Sequence, residues 1–174
     1  MQIHVFLRLT LLTLPGVLLA PLSLAREDTE KAISAIVEKM SVEEKAGQMT
    51  QLTLGALSSR ESTSDNPDGH QLDPGKLRNA IVEKHVGSIL NVHNMAFSAT
   101  HWHKILTQIQ DLATKETRHR IPILYGIDSV HGANYVRGAT LFPHNLGLAA
   151  TRNTKLVEQC HAITARETRA AGIP

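Results

Sequence analysis

The 174-residue sequence has few of the residues that specify several common classes of protein. It contains a single cysteine, Cys160, which excludes an internal disulfide framework and a zinc site built from cysteines. Aromatic residues make up only 3% of the chain. The formal net charge of +2 is too small to point to nucleic acid or an acidic membrane surface as a partner. What remains, 42% hydrophobic and 20% charged residues, is typical of a soluble globular protein.

Motifs of several well-known sites are also absent. The glycines form neither the G-x-G-x-x-G nor the Walker pattern that cradles nucleotide phosphates, and no G-x-S-x-G sequence is present for a serine hydrolase. Ten histidines leave a metal site as an alternative, with His93, His101 and His103 as candidates. His101 and His103 are two residues apart on a predicted helix and point about 200° apart, which disfavours a shared ion. We therefore expect no metal.

The first 25 residues have the pattern of a secretory signal peptide. They carry no acidic residue and one cation, Arg8, followed by an apolar run from Leu9 to Leu24. The small residues Ser23 and Ala25, three positions and one position before the charged Arg26, favour cleavage after Ala25. A membrane anchor is the alternative, although this run of roughly 16 residues falls short of the ~20 needed to span a bilayer. We predict one secreted or periplasmic domain portion over residues 26–174, without a membrane span.

Apolar spacing and capping residues predict alternating helices and strands in the remainder. Helices are expected over Glu30–Met40, from Val42 to about Gln48 behind a Ser41–Glu44 capping box, from Pro74 behind Asp73 to His85, over Ser98–Thr117, and from an Asn153 cap to Gly172 with Leu156 inward. Buried strands are expected at Gly87–Val92 and Ile123–Ile127. A long surface loop is predicted over Leu57–Asp73 and irregular structure over Val130–Leu148.

This order of elements predicts an α/β fold with a parallel sheet, because strands alternate with helices of sufficient length to cross between them. Two strands cannot make a stable parallel sheet, which needs both faces covered and neighbours on its edges. We therefore interpret the chain as the beginning of a larger domain.

Asp128 is the candidate functional residue because it follows the second predicted strand. In parallel α/β folds, ligands bind at the carboxyl ends of the strands. A carboxylate there can accept hydrogen bonds from a polyol or activate a nucleophile; an N-cap or a loop-tethering role is the alternative. His131 is interpreted as a loop-packing residue, and the Arg118–Arg120 turn as solvated. Other carboxylates are expected on outer helix faces: Glu43, Glu44, Glu158 and Glu167.

Three stretches resemble glycoside hydrolase family 3. Residues 37–51 (VEKMSVEEKAGQMTQ) resemble its opening helix signature. Residues 121–132 (IPILYGIDSVHG) and 138–152 (GATLFPHNLGLAATR) are similar to the second-strand region of its β-glucosidase and exo-β-glucanase branch. The family's N-acetylglucosaminidase branch instead has a Glu-Gly-Gly pattern after this strand, so the sequence beginning at Asp128 favours the glucosidase branch.

The resemblance implies a (β/α)₈ barrel of the TIM type, of which this chain holds the first two or three βα units. It implies retaining, exo-acting hydrolysis of β-glucosides or β-glucans through a covalent glycosyl-enzyme, without cofactor. The aspartate that matches Asp128 binds hydroxyls of the terminal glucose. The family's nucleophile, Lys-His pair and acid/base residue have no counterpart here, so we expect no catalytic residue in this chain and no activity of the chain alone. The alternative is an exported, non-catalytic protein that binds a carbohydrate or a partner through the same Asp128 loop.

Overall fold

The structure is a computed structural model that describes residues 20–92 and 95–174. The chain divides into two compact units, Met1–Lys39 and Met40–Pro174. The described part of the first unit is helix α1 (Ala20–Lys39), which confirms the helix predicted to begin at Glu30. Most of the predicted signal peptide lies outside the described residues. Within the described ranges, no helix combines the length and hydrophobicity needed to cross a membrane.

The second unit alternates short strands with helices. Its strands are β1 (Gln51–Thr53), β2 (Ser58–Arg60), β3 (Gln71–Leu72), β4 (Ser88–Leu90) and β5 (Leu124–Gly126). Its helices are α2 (Val42–Gln48), α3 (Pro74–Arg78), which continues as a π-helical turn over Asn79–Glu83, α4 (Ala99–Glu116), α5 (Asn145–Ala150) and α6 (Thr154–Ala170). Short 3₁₀ turns occur at Leu54–Leu57 and Pro67–Gly69.

Strands β1, β4 and β5 form a parallel sheet in that order. Leu52 lies opposite Ile89, which lies opposite Tyr125. The two predicted strands are confirmed as β4 and β5, but the expectation of only two strands is wrong because β1 adds a third. Strand β1 has one apolar residue, Leu52, between two polar ones, too short a pattern to stand out in sequence. The parallel α/β prediction is confirmed.

Local capping explains where the helices begin. The Ser41 hydroxyl accepts a hydrogen bond from the Glu44 amide at 3.1 Å, and the Ser41 amide donates to Glu44 Oε2 at 2.8 Å, which completes the predicted capping box of α2. Asp73 Oδ1 accepts from the amides of Gly75 and Lys76, both at 2.9 Å, and starts α3. The predicted starts of α4 and α6 are confirmed by equivalent bonds to Ser98 and Asn153.

The core is centred on one face of α4 packed near the sheet. Trp102 is fully buried, with its ring 5.2 Å from Phe97 and 5.6 Å from Tyr125 between centroids. Its indole N–H donates to the Tyr135 carbonyl at 2.8 Å, so the polar edge of the ring is satisfied. Other buried residues of the same helix face belong to this cluster: Ile105, Leu106, Ile109 and Ala113. The 3.6-residue spacing in the sequence correctly predicted this face.

Two regions predicted as irregular contain regular structure. The predicted surface loop Leu57–Asp73 includes the antiparallel β2–β3 pair. Within it Ser58 and His70 are buried and hydrogen-bonded to each other at 2.6 Å, a long-range contact that local sequence does not indicate. The predicted irregular stretch Val130–Leu148 ends in the short helix α5. In α6, Leu156 is exposed rather than inward.

Glu44 is buried, which corrects the prediction that it lies on an outer face. Only 7% of the residue is exposed. Its Oε2 accepts from His119 Nε2 at 3.1 Å and from Arg118 Nη1 at 3.3 Å, besides the Ser41 amide. The bond from Ser41 is the main influence that lowers the pKa of Glu44, followed by His119 and Arg118. The Arg118–Arg120 turn was predicted to be solvated, but the His119 side chain is only 13% exposed. Through Glu44, this turn fixes the start of α2.

Two buried histidines contact the same phenyl ring. His70 and His101 are 3% and 8% exposed, and their ring centroids lie 5.2 and 4.9 Å from that of Phe97. Burial is the main cause that lowers the pKa of both imidazoles. Glu61 opposes this shift at His70, whereas His101 adds to it. At His101 the shift is opposed by Asp68 and by a hydrogen bond with the His70 backbone, and it is increased by Lys104 and Arg137. Both side chains are therefore neutral at neutral pH.

We expect the chain to lose stability as the pH falls below about 6.5. In this range His70 and His101 bind protons in the unfolded chain, whereas their lowered pKa values keep them neutral in the folded chain. Urea unfolding at about pH 7.5 and about pH 5.5 brackets this range. Replacing both histidines (His70→Asn, His101→Gln) should reduce the pH-dependent change in the urea midpoint. His103→Gln, at an exposed histidine on α4 two residues after His101, is the matched control. An equal change in the double variant and the wild type would contradict the expectation.

Candidate functional site

The candidate site lies at the carboxyl edge of the parallel sheet. Asn91 directly follows β4, and Asp128 follows β5 after one intervening residue, Ile127. Leu90 and Gly126 are partners in the strand register. This register brings the two polar side chains next to each other, at the edge where the sequence predicted a binding residue.

Asn91 and Asp128 form a reciprocal pair of hydrogen bonds. The Asn91 side-chain Nδ2 donates to Asp128 Oδ2 at 2.8 Å, and the Asp128 backbone amide donates to Asn91 Oδ1 at 2.8 Å. Both groups of the Asn91 amide are thus used on one neighbour. Asp128 itself is exposed, and in the described part of the chain its Oδ1 accepts no hydrogen bond.

The backbone of Asn91 is held from two sides. Its amide donates to the Gly126 carbonyl at 2.8 Å, and its carbonyl accepts from the Tyr125 hydroxyl at 2.6 Å. Burial raises the pKa of Tyr125 well above its usual range, so this hydroxyl remains a donor. Asn91 adopts a φ of 56°, in the left-handed region that asparagine tolerates better than most residues.

The loop after Asp128 is fixed by a close backbone approach. Gly132 has a φ of 81°, and a Cβ at this position would lie 2.4 Å from the Thr140 carbonyl oxygen, so only glycine fits here. His131 Nδ1 lies 3.2 Å from the Phe142 carbonyl, and the Phe142 amide donates to the His131 carbonyl at 3.1 Å. These contacts agree with the interpretation of His131 as a loop-packing residue.

Glu167 on α6 anchors the same loop. Its two carboxylate oxygens accept from the Thr140 amide at 2.9 Å and from the Thr140 hydroxyl at 2.8 Å. The expectation that this glutamate lies on an outer helix face is therefore incomplete, because the side chain is half-buried and used to hold the loop. The loop that carries Asp128 is thus attached to both the sheet and α6.

The histidines considered for a metal do not converge. His101 is buried against Phe97, whereas His103 is exposed with its Nε2 3.1 Å from the Ala170 carbonyl, so the two point to different sides of α4 as predicted. The third candidate, His93, lies outside the described residues. Over the ranges that the structure describes, no group of three or more histidine, cysteine, aspartate or glutamate side chains could hold a metal ion.

Asn91 is the site residue that the sequence analysis missed. It lies one residue before the end of the predicted strand Gly87–Val92, and this polar residue near a strand end was the available signal. The strand register was needed to show that the two residues, 37 positions apart, are neighbours.

The chain is similar to known proteins of one family. The sequence profile of the Glycosyl hydrolase family 3 N terminal domain matches residues 41–174. The Lysosomal beta glucosidase of Dictyostelium discoideum is 38% identical over 152 residues, and the Periplasmic beta-glucosidase of Salmonella typhimurium is 28% identical over 150 residues. These alignments cover 82% and 86% of this chain. The chain spans only 17% and 16% of the length of these two relatives.

A solved structure is similar in fold. The glycoside hydrolase family 3 beta-N-acetylglucosaminidase from Paenibacillus sp. str. FPU-7 superimposes with a TM-score of 0.58 and 25% sequence identity. The match covers 77% of this chain and 23% of that one. The profile match and the shared fold together show that this chain belongs to glycosyl hydrolase family 3 and contains the first part of its N-terminal, TIM-type barrel domain.

Proposed function

We propose that this chain is the N-terminal part of a retaining, exo-acting β-glucosidase in which Asp128 binds hydroxyl groups of the terminal glucose of a β-glucoside or β-glucan. The observation that carries the proposal is the exposed Asp128 carboxylate at the carboxyl edge of a family 3 barrel sheet, held by Asn91. A carboxylate makes charge-assisted hydrogen bonds to sugar hydroxyls, and these bonds are stronger than hydrogen bonds between two neutral groups. The curated β-glucosidase relatives support this choice of substrate.

The proposed chemistry assigns binding, and not bond cleavage, to this chain. Retaining hydrolysis needs two carboxyl groups about 5–5.5 Å apart across the scissile bond, and no cofactor. The side chain that the structure pairs with Asp128 is an amide, which serves neither as nucleophile nor as acid. We therefore place the nucleophile and the acid/base residue in a part of the enzyme that follows this chain, and expect the chain alone to be inactive.

We also propose export, with cleavage after Ala25. The leader pattern supports this, and so do the names of the relatives, one lysosomal and one periplasmic. N-terminal sequencing of the protein from its native host should begin at Arg26, and recovery of Met1 would instead favour a membrane anchor.

The proposed activity is tested by supplying the rest of an enzyme. In the chimeric enzyme, residues 41–174 of this chain replace the matching segment of the Dictyostelium lysosomal β-glucosidase. We expect it to hydrolyse 4-nitrophenyl β-glucoside, and the 174-residue chain alone to show no turnover. A chimeric enzyme that is folded by circular dichroism and inactive would contradict the proposal.

A second candidate function is non-catalytic binding of a carbohydrate or a partner, which the pairing of Asp128 with an amide rather than with a second carboxyl group favours. The nucleotide sequence after the codon for Pro174 distinguishes the two. A reading frame that continues into a Ser-Asp-Trp segment supports the enzyme, and a stop codon followed by a folded, soluble product supports the binding protein.

A further inference from the structure

Asn91 is the residue whose side chain contacts Asp128 directly. We infer that Asn91 is a positioning residue, which fixes the Asp128 carboxylate in the orientation that receives a sugar hydroxyl. The inference rests on the proposed function, since it deepens the account of the same site. It assigns Asn91 no contact with the reacting atoms.

The geometry of the pair fixes both the backbone and the carboxylate of Asp128. The bond to the Asp128 amide fixes the main chain at that residue, and the bond to Oδ2 fixes the rotation of the carboxylate. Holding both requires one side chain with a donor and an acceptor on neighbouring atoms, which an amide provides and a carboxylate or hydroxyl of the same length does not. Among the residues that the structure describes, none donates to the other carboxylate oxygen, Oδ1, which is left for a ligand.

Asn91 is itself immobilised before any ligand arrives. Its backbone is hydrogen-bonded to the Gly126 carbonyl and to the Tyr125 hydroxyl. Its left-handed backbone, with a φ of 56°, sets the direction in which the side chain leaves the main chain. A binding group that is already oriented loses less entropy when the ligand binds, and small displacements of such groups reduce rates strongly. The pair therefore forms a pre-oriented acceptor at the sheet edge.

The test uses two variants that the left-handed backbone tolerates. Asn91→Gly deletes both side-chain bonds, and Asn91→Asp keeps the shape and the acceptor but replaces the donor with a carboxylate that faces Asp128. In the chimeric enzyme at neutral pH we expect kcat/KM to fall about tenfold for Asn91→Gly and about a hundredfold for Asn91→Asp, because like charges at hydrogen-bond distance repel. Arg120→Gly, at another left-handed position (φ 53°) before β5, is the matched control and should leave kcat/KM unchanged.

The pH profile separates positioning from a merely structural role. On acidification, the carboxyl group introduced by Asn91→Asp takes up a proton and can donate to Asp128 Oδ2 as the amide did. We expect the activity of this variant, relative to wild type, to recover as the pH is lowered, whereas Asn91→Gly should not recover. A structural role for the left-handed turn alone predicts near-wild-type kinetics for both variants.

A second measurement needs no activity and uses the 174-residue chain itself. In ¹⁵N-labelled protein, the Asn91 Nδ2 proton that faces Asp128 should exchange with solvent more slowly than its partner proton, and Asp128→Ala should abolish the difference. Equal exchange of the two protons in the wild type would overturn the inference. So would wild-type kinetics of both Asn91 variants in a chimeric enzyme that Asp128→Ala impairs. If Asp128→Ala itself has no effect, the proposed function fails instead.

Discussion

Asp128→Ala is expected to lower kcat/KM of the chimeric enzyme at least about 30-fold, which corresponds to ~2 kcal/mol of transition-state stabilisation. Removing the side chain deletes a charged acceptor for the sugar and leaves the Asn91 amide without the carboxylate that it binds. Hydrogen bonds to charged groups are worth more than those between neutral groups, and this difference sets the size of the effect.

Steady-state kinetics on 4-nitrophenyl β-glucoside measure this loss. Asp111→Ala is the matched control. Asp111 is an exposed aspartate on α4 that pairs with Lys115 and has no hydrogen bond to Asn91 or Asp128 in the described part of the chain. The control should keep wild-type kcat/KM. A loss smaller than about threefold for Asp128→Ala would remove Asp128 from the sugar-binding site.

Trp102→Ala is expected to destabilise the 174-residue chain by about 3–5 kcal/mol, the range for large-to-small changes of a buried aromatic residue. The substitution leaves a cavity between Phe97 and Tyr125, and it removes the donor to the Tyr135 carbonyl. Because small domains are stable by only about 5–15 kcal/mol, the variant should unfold at a markedly lower urea concentration.

Urea unfolding followed by far-UV circular dichroism checks this expectation. His103→Ala, at the exposed residue next to Trp102 on α4, is the control and should shift the midpoint little. If the two variants had similar midpoints, the assignment of Trp102 to the centre of the core would be wrong. The fluorescence of the chain's only tryptophan would report the same transition in the wild type and the control.

Much of the fold was predictable from local chemistry. The Ser41–Glu44 capping box and the Asp73-Pro74 pair mark helix starts through bonds within three residues, so the sequence alone contains the necessary information. The apolar face of α4 is equally visible because burial repeats every turn. The alternation of these helices with β4 and β5 was sufficient for the parallel α/β prediction.

The errors have a common physical cause, which is contact between residues distant in sequence. Glu44 is buried because it meets His119, 75 positions away, and no local pattern signals such a meeting. The Asn91–Asp128 pair depends on the register of β4 and β5. Ser58 and His70 are buried by tertiary packing although their segment is polar and rich in turn residues.

The node around Glu44 has a practical consequence for protein engineering. One oxygen atom, Oε2, joins the start of α2 to the turn before β5, on the side of the sheet from which the strands begin. In barrels of this type, stability is concentrated at that end and ligand recognition at the other. Libraries that diversify the exposed positions after β4 and β5 should therefore retain folded members at high frequency, so long as the Glu44 node, the buried Phe97 and Gly132 are left untouched.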